Sequence, residues 1–548
     1  MKPNKTPWLI FLVGLFLRLI PVLLTRGLGI GLDDMFQYDM LARSLASGNG
    51  YRWYARDDLR MLEAYVHFDL SGVDYDPVRG VPTSFRAPLY PAFLALVYLL
   101  TGGGTGRFFA ARLVQAALGA LLAPLTYAVS RRLFPDREAV AVMSAWIVAC
   151  YPILLLYPLG LVTENLFFLL VLVSFLFLLL LAEASLQQRP LLLPLWLSQR
   201  LRILNANVAN LRMMQINPIT HYALRITHYV LRFTSYALRL TPHVSRLTLY
   251  ALLSGLFLSL AALTRSVILP FAGLTVLWAW FVLRQRRAAV VIALTMLVVL
   301  APWVVRNSLL HHKLTGIESS LGYNLYVGYH PESDGSFTFG VSLDLIPILD
   351  DAERDRIGTQ QALAFIRQQP ERFLHLACNR LGFFFGLEKR ALMYFYSNNL
   401  LGYLPPPLLL TAAAILLLPF VVVAPSAALG LGRMPMNPRT LLLSLLLLAY
   451  LLPHVFILAE DRFHLAIVPY LAILAAQALR PGSGQAWTGG LPALSARWRE
   501  GWKGKIALAL AGVVVLLLFT NWGLELARDA DKIAALFGPN GNHARFPY

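Results

Sequence analysis

The sequence predicts an all-α polytopic membrane protein with about eleven transmembrane helices and a re-entrant or interfacial helix in its first outer loop. Three observations predict it. Hydrophobic residues make up 57% of the 548 and charged residues only 14%, a balance too apolar for a soluble globular chain. Apolar runs long enough to cross a hydrocarbon layer recur along the chain. The excess of Lys and Arg behind the net charge of +18 gathers in alternate connections, as in cytoplasmic loops, so it does not point to nucleic acid.

The start, "MKPNKTPWLIFLVGLFLRLIPVLL", places basic residues before an apolar run, as a secretory signal would. It lacks a small-x-small cleavage site, so residues 8–25 are read as an uncleaved first span. The remaining spans are 107–130, 138–157, 163–183, 249–264, 267–283, 288–306, 401–425, 440–458, 463–480 and 505–523. The run "PLYPAFLALVYLLT" (88–101) has 14 residues, with Pro at its start and in its second turn. That is short for a span and suits a re-entrant or interfacial helix. If it does not cross and Lys2 and Lys5 are cytoplasmic, several basic segments fall inside. They are "RRLFPDR" (131–137), the Arg-rich stretch 184–248, "RQRR" (284–287), Arg433 with Arg439, and the 497–505 connection. If it does cross, all of these move outside, so the positive-inside rule favours the first arrangement.

The implied organisation is an N-terminal membrane module, 1–183, with an outer loop 26–106. A basic low-complexity insertion 184–248, central helices 249–306, an outer loop 307–400, C-terminal helices 401–523 and a tail 524–548 follow. Cys150 and Cys378 are too few for a disulfide framework or a Cys-based metal site. Within the insertion, "THYALRI THYVLRF TSYALRL TPHVSRL" (220–247) repeats a heptad with Arg225, Arg232, Arg239 and Arg246 in register. It reads either as a basic amphipathic surface on anionic headgroups or as a tolerated insertion with no packing role. His221, His228 and His243 lack the carboxylate or Cys partners a metal site needs.

Under this topology, polar motifs from distant parts of the chain meet the outer face. "LDDMFQYDMLARSLASGNGY" sets Asp33 and Asp34 before Tyr38, Leu41, Ala42 and Leu45, which recur at helical spacing, as in a short surface helix. Either aspartate could serve as the N-cap. In "PTSFRAPLYPAF", Arg86 at a helix start could bind phosphate or extend to the interface. Glu164 in "YPLGLVTENLFFLL" opens a span, where it is either a functional ionisable group or a favourable charge at the positive helix end. Arg265 lies in "AALTRSVILP" and Arg306 in "APWVVRNSLLHHKLTG". Asn324 lies in "SSLGYNLYVGYHPESDGSF", whose side chains suit hydrogen bonding and stacking on sugars. "ILAEDRFHLAIVPYLAILAA" places Glu460, Asp461 and Arg462 just before a span.

In this order the motifs resemble those of polyprenyl-phosphate-sugar-dependent glycosyltransferases. The nearest resemblance is to the branch of protein O-mannosyltransferases and lipid A aminoarabinose transferases. It covers nearly the whole chain except the insertion and the tail. It implies the GT-C membrane fold in a multi-pass inner or plasma membrane protein. The implied reaction moves a sugar from a polyprenyl monophosphate to an acceptor hydroxyl on the extracytoplasmic face, with inversion. The donor partner would be the lipid-linked sugar, and the acceptor a protein, lipid or glycan. The family's catalytic Asp lies four residues before a Tyr, which selects Asp34 with Tyr38. Its usual second acidic neighbour is here Met35, with Asp33 on the other side. Glu164 matches the second acidic site and Arg86 the donor-phosphate ligand. Arg265, Arg306 and Arg462 match further basic positions. A monophosphate donor demands no metal or other cofactor and leaves room for a divalent cation. The rival reading is a polytopic transporter or lipid flippase, which would more often show inverted repeats and mid-membrane charges.

Overall fold

In a computed structural model, the chain is described over residues 5–70, 73–188, 246–390, 392, 404–479 and 502–537. Residues 189–245, with most of the Arg-rich insertion and its heptads, lie outside the described residues. Helices dominate. Eight are long and apolar enough to cross a bilayer: Thr6–Leu24, Gly106–Leu133, Glu164–Gln187, Arg286–Leu310, Pro406–Gly432, Pro438–Phe456, Asp461–Leu479 and Gly504–Arg528. The other three expected spans coincide with a helix pair, Glu138–Cys150 and Pro152–Leu159, bent by 53°, and with the shorter apolar helices Arg246–Ala262 and Ser266–Val282. The class read from the sequence, a multi-pass helical membrane protein, is the one observed; by length and composition, eight of the eleven spans qualify among the described residues.

The bend has a local cause. Pro152 supplies no N–H to the preceding turn, leaving carbonyls at the end of Glu138–Cys150 without helical partners. Arg18, fully buried in the first span, donates to two of them, from Nη1 to Ala149 O at 3.2 Å and from Nη2 to Val148 O at 3.3 Å. A cation at a negative helix end is favourable, which accounts for an arginine in an apolar span.

The helix Val468–Leu479 forms the centre of the membrane core, where every residue from Phe463 to Ala478 is buried. Its first turns, Asp461–Ile467, run as a 3₁₀ helix. Pro469 cannot donate back to Leu465, so α-helical bonding begins only at Val468. The neighbouring Pro406–Gly432 helix approaches closely at Gly430, where a Cβ would meet Leu474 O at 2.0 Å.

Glu164–Gln188 fixes the two ends of the molecule. Glu164 begins it, and Glu183 lies 19 residues on, about 29 Å along a helix, close to a hydrocarbon thickness. At that far end Glu183 pairs with Arg132 and approaches Arg439 at 3.8 Å, so the basic connections gather opposite Glu164.

At the Glu164 end, residues 26–70, 73–105 and 311–390 fold together over the membrane helices. The amphipathic helix Asp34–Ala46 packs on Leu89–Thr101 through Met35, Tyr38, Tyr90 and Leu94. At 13 residues, the latter reaches only about 20 Å, too short to cross. The 307–400 segment, read from sequence as a loop, carries helices Leu321–Tyr329, Asp351–Gln368 and Glu371–Phe384. A two-residue antiparallel pair joins Arg52 to Pro82 and Trp53 to Val81. Gly80 enters it at φ +73°, where a Cβ would strike Trp53 O at 1.9 Å.

Candidate active site

The site grows from short segments that lie mostly at helix starts. In the first, Asp33 is the N-cap of Asp34–Ala46 and accepts the Met35 N–H at 2.8 Å. Capping therefore occupies Asp33. Asp34, the first helical residue, turns the other way, with its side chain 29% exposed. Arg86 Nη2 donates to its Oδ1 and Arg462 Nη2 to its Oδ2, the latter at 3.3 Å.

The second segment holds Arg86. Asp351 accepts the Ser84 N–H at 2.7 Å and the Thr83 hydroxyl at 2.6 Å. Tyr51 donates its hydroxyl to Arg86 O at 2.9 Å, and Leu89 N donates to Leu263 O at 2.9 Å, drawing the Arg265 turn alongside. With the backbone fixed, Arg86 Nε donates to Gln37 Oε1 at 2.8 Å, and its guanidinium lies over the rings of Tyr38 and Phe85.

Arg265 Nη1 lies 2.5 Å from Glu164 Oε1, whose side chain is only 4% exposed. The Thr163 hydroxyl donates to Glu164 Oε2 at 3.1 Å. Arg265 and Arg462 face the same ring, Phe463, at 5.2 and 5.5 Å, which joins the two halves of the cluster. Beyond Arg462, Glu460 accepts from Arg462 Nε at 2.6 Å, and its other oxygen lies 2.8 Å from Arg390 Nη1. Three carboxylates and four guanidiniums thus alternate across one end of the helical bundle.

Burial would raise the Asp34 pKa, but Arg86, and behind it Arg462, Arg265 and Arg390, hold it well below the usual carboxylate range. Burial opposes ionisation of Glu460 too, yet Arg390 and Arg462 bring it down to about 2. The Tyr38 phenol goes the other way, pushed up to about 12 by burial, so it stays a protonated donor at neutral pH.

Of the residues singled out from sequence, Asp34, Tyr38, Arg86, Glu164, Arg265 and Arg462 come together. Arg306 does not join them. It donates to Thr83 O at 2.5 Å, Asn307 Oδ1 at 2.9 Å and Tyr51 O at 3.3 Å, holding the strand pair and the segment that carries Arg86. Asn324 is half-buried on Leu321–Tyr329, and no side-chain hydrogen bond links it to the cluster among the described residues. Its neighbour Tyr323 packs edge-on against Phe85 instead. Sequence reading missed Gln37 and Arg390 and assigned no role to Glu460. Only Glu460, two residues before Arg462 in "AEDRF", left a signal. No group of three or more His, Cys, Asp or Glu able to hold a metal occurs among the described residues. Each carboxylate of the cluster faces guanidiniums, a donor set unsuited to a cation.

No protein-family model and no curated protein matches the chain. Among solved structures it is similar to the oligosaccharyltransferase of Archaeoglobus fulgidus in complex with Zn and sulfate, at 13% identity over 99% of this chain and 57% of that one, TM-score 0.43. The archaeal enzyme AglB with an inhibitory peptide and a dolichol-phosphate gives 13% identity over 99% and 60%, TM-score 0.40. ArnT from Cupriavidus metallidurans bound to undecaprenyl phosphate gives 12% identity over 93% and 89%, TM-score 0.35. The chain spans about three-fifths of the archaeal enzyme's length. With identities and scores this low, the functional case rests on the residues of the site.

Proposed function

We propose that the protein is a membrane glycosyltransferase that moves a sugar from a polyprenyl-monophosphate donor to an acceptor hydroxyl, with Asp34 as general base. The observation that carries this reading is the grip of Arg86 and Arg462, from opposite ends of the chain, on one partly exposed carboxylate at the mouth of the membrane helices. Such paired guanidiniums suit a phosphate as well as a carboxylate.

The chemistry needs little else. A lipid phosphate leaves readily without acid catalysis, whereas an alcohol is a weak nucleophile. As the anomeric carbon–phosphate oxygen bond breaks and the carbon–acceptor oxygen bond forms with inversion, the hydroxyl proton passes to Asp34. Arg86, Arg462 and Arg265 stabilise the charge gathering on the departing phosphate. In the structure both Asp34 oxygens are engaged and its basicity is suppressed. A donor phosphate that draws the arginines away frees those oxygens and raises the carboxylate pKa, so the base strengthens when the donor is in place. Glu164 holds Arg265 in the same array. The extracytoplasmic face is supported by the basic connections at the opposite end of the Glu164–Gln188 helix. Among the described residues, this cluster of alternating charges lies at one end of the bundle, which fits a transferase better than a transporter.

The test uses the full-length protein in lipid nanodiscs with polyprenyl phosphates carrying labelled mannose, glucose or aminoarabinose. Release of free polyprenyl phosphate that depends on Asp34 supports the proposal. No release from any donor, with each shown to bind, overturns it.

A further inference from the structure

Arg86 and Arg462 meet Asp34 in the same manner. Each is held from behind through Nε, Arg86 by Gln37 and Arg462 by Glu460, and each offers its outer nitrogens to the shared carboxylate. Glu460 differs from Gln37 in being charged, only 7% exposed, and committed on both oxygens, with Arg390 on the far side. It therefore has no oxygen left for substrate. Its geometry is that of a strut between two cations that would otherwise repel.

We propose that Glu460, clamped by Arg390, is a positioning residue for donor binding, fixing Arg462 by Nε so that its outer edge can pass from Asp34 to the donor phosphate. The contacts make this specific to Arg462. The Nε bond to Glu460 is 2.6 Å, short and charge-assisted, while the Nη2 contact to Asp34 is looser at 3.3 Å. The weaker of the two is the one that must exchange. Arg390 keeps Glu460 ionised and oriented from a third chain segment, so the strut does not depend on the substrate. This inference rests on the reading of the cluster as a lipid-phosphate site.

Positioning and simple charge balance predict opposite results. If Glu460 only offsets positive charge, removing it makes the cluster more cationic and tightens phosphate binding. If it aims Arg462, removing it weakens binding despite the added positive charge. The experiment measures binding of undecaprenyl phosphate, which needs no turnover, to the full-length protein in nanodiscs. Glu460→Ala is expected to weaken binding on the order of tenfold to a hundredfold, the scale of one charge-assisted hydrogen bond. In an Arg462→Met background the same change is expected to have almost no further effect, since the strut then has nothing to aim. Binding by Glu460→Ala equal to or tighter than the parent overturns the inference, as does full additivity with Arg462→Met. Should Glu460→Ala fail to insert, Glu460→Gln, which keeps an acceptor oxygen but loses the charge, is expected to weaken binding less than tenfold, and tighter binding again overturns the inference. If Arg86→Met and Arg462→Met themselves bind undecaprenyl phosphate like the parent, the phosphate-site reading fails, and the inference with it. Weakened binding in those two beside parental binding in Glu460→Ala sinks the inference alone.

Discussion

Arg462 Nη2 lies 3.3 Å from Asp34 Oδ2, joining residues 428 positions apart in sequence. One comes from the turn after the first span and the other from the head of the most enclosed membrane helix, so the contact forms only when both ends of the chain are in place. It also separates two neighbouring aspartates into different tasks.

Asp34→Asn is therefore expected to lower transfer at least ~100-fold, the contribution of a positioned base, with undecaprenyl phosphate binding retained. Asp33→Asn is expected to keep activity within a few-fold, because Asn is also a good N-cap. Asp33→Ala should cost about 1 kcal/mol of stability through the lost cap. Turnover per folded protein beside thermal melting separates the two positions, and a dead Asp33→Asn with an active Asp34→Asn would reverse the assignment.

Acid should loosen the cluster in a defined window. The native pKa of Asp34 is depressed and that of Glu460 stands at about 2, whereas an unfolded carboxylate titrates at about 4. The unfolded chain then binds more protons between these values, so the stabilisation is complete above about pH 4 and is lost as pH falls toward 2. Melting in nanodiscs is expected to be flat in this contribution from pH 7 to pH 5 and to decline below. Asp34→Asn should flatten part of the decline, and an unchanged slope would count against the ion pairs.

Arg306 and Arg86 are expected to fail differently. Arg306 spends its donors on the carbonyls of Thr83 and Tyr51 and on Asn307, so Arg306→Gln should lower the melting temperature and leave donor KM within a few-fold. Arg86→Gln, which removes a partner of Asp34, should raise donor KM at least ~10-fold and lose part of the acid-sensitive stabilisation described above. Equal KM effects in both would place Arg306 in the site after all.

What was legible in the sequence follows from the range of each interaction. Spans announce themselves because a hydrocarbon layer demands a continuous apolar run, and the short Leu89–Thr101 helix was readable for the same reason. Asp34 was visible through its four-residue spacing to Tyr38 in the family resemblance, and Arg86, Glu164, Arg265 and Arg462 because each sits beside the start of an apolar run. Partner choice was not visible. Arg462 has a carboxylate two residues before it in "AEDRF", but nothing local shows that Arg306 turns to backbone carbonyls. Arg390 and Gln37 earn their places only through residues distant in sequence. Arg18 likewise had no readable partner, since it binds carbonyls that a proline on another helix leaves open.

That last residue gives a prediction free of the reaction. Arg18 is buried in the first span, and its donors end on the carbonyls of Gly14, Val148 and Ala149. Arg18→Met keeps an unbranched apolar stem but returns the Val148 and Ala149 carbonyls to an unsatisfied state at the bend, at a cost of about 1–3 kcal/mol. Arg18→Lys retains a cation at the negative end of Glu138–Cys150 and should recover part of the loss. The measurement is melting in nanodiscs, with turnover per folded molecule as the control. A cap at the bend requires the order parent, Lys, Met in stability, with turnover per folded molecule nearly constant. If Met matched the parent, the carbonyls would have to be satisfied without Arg18.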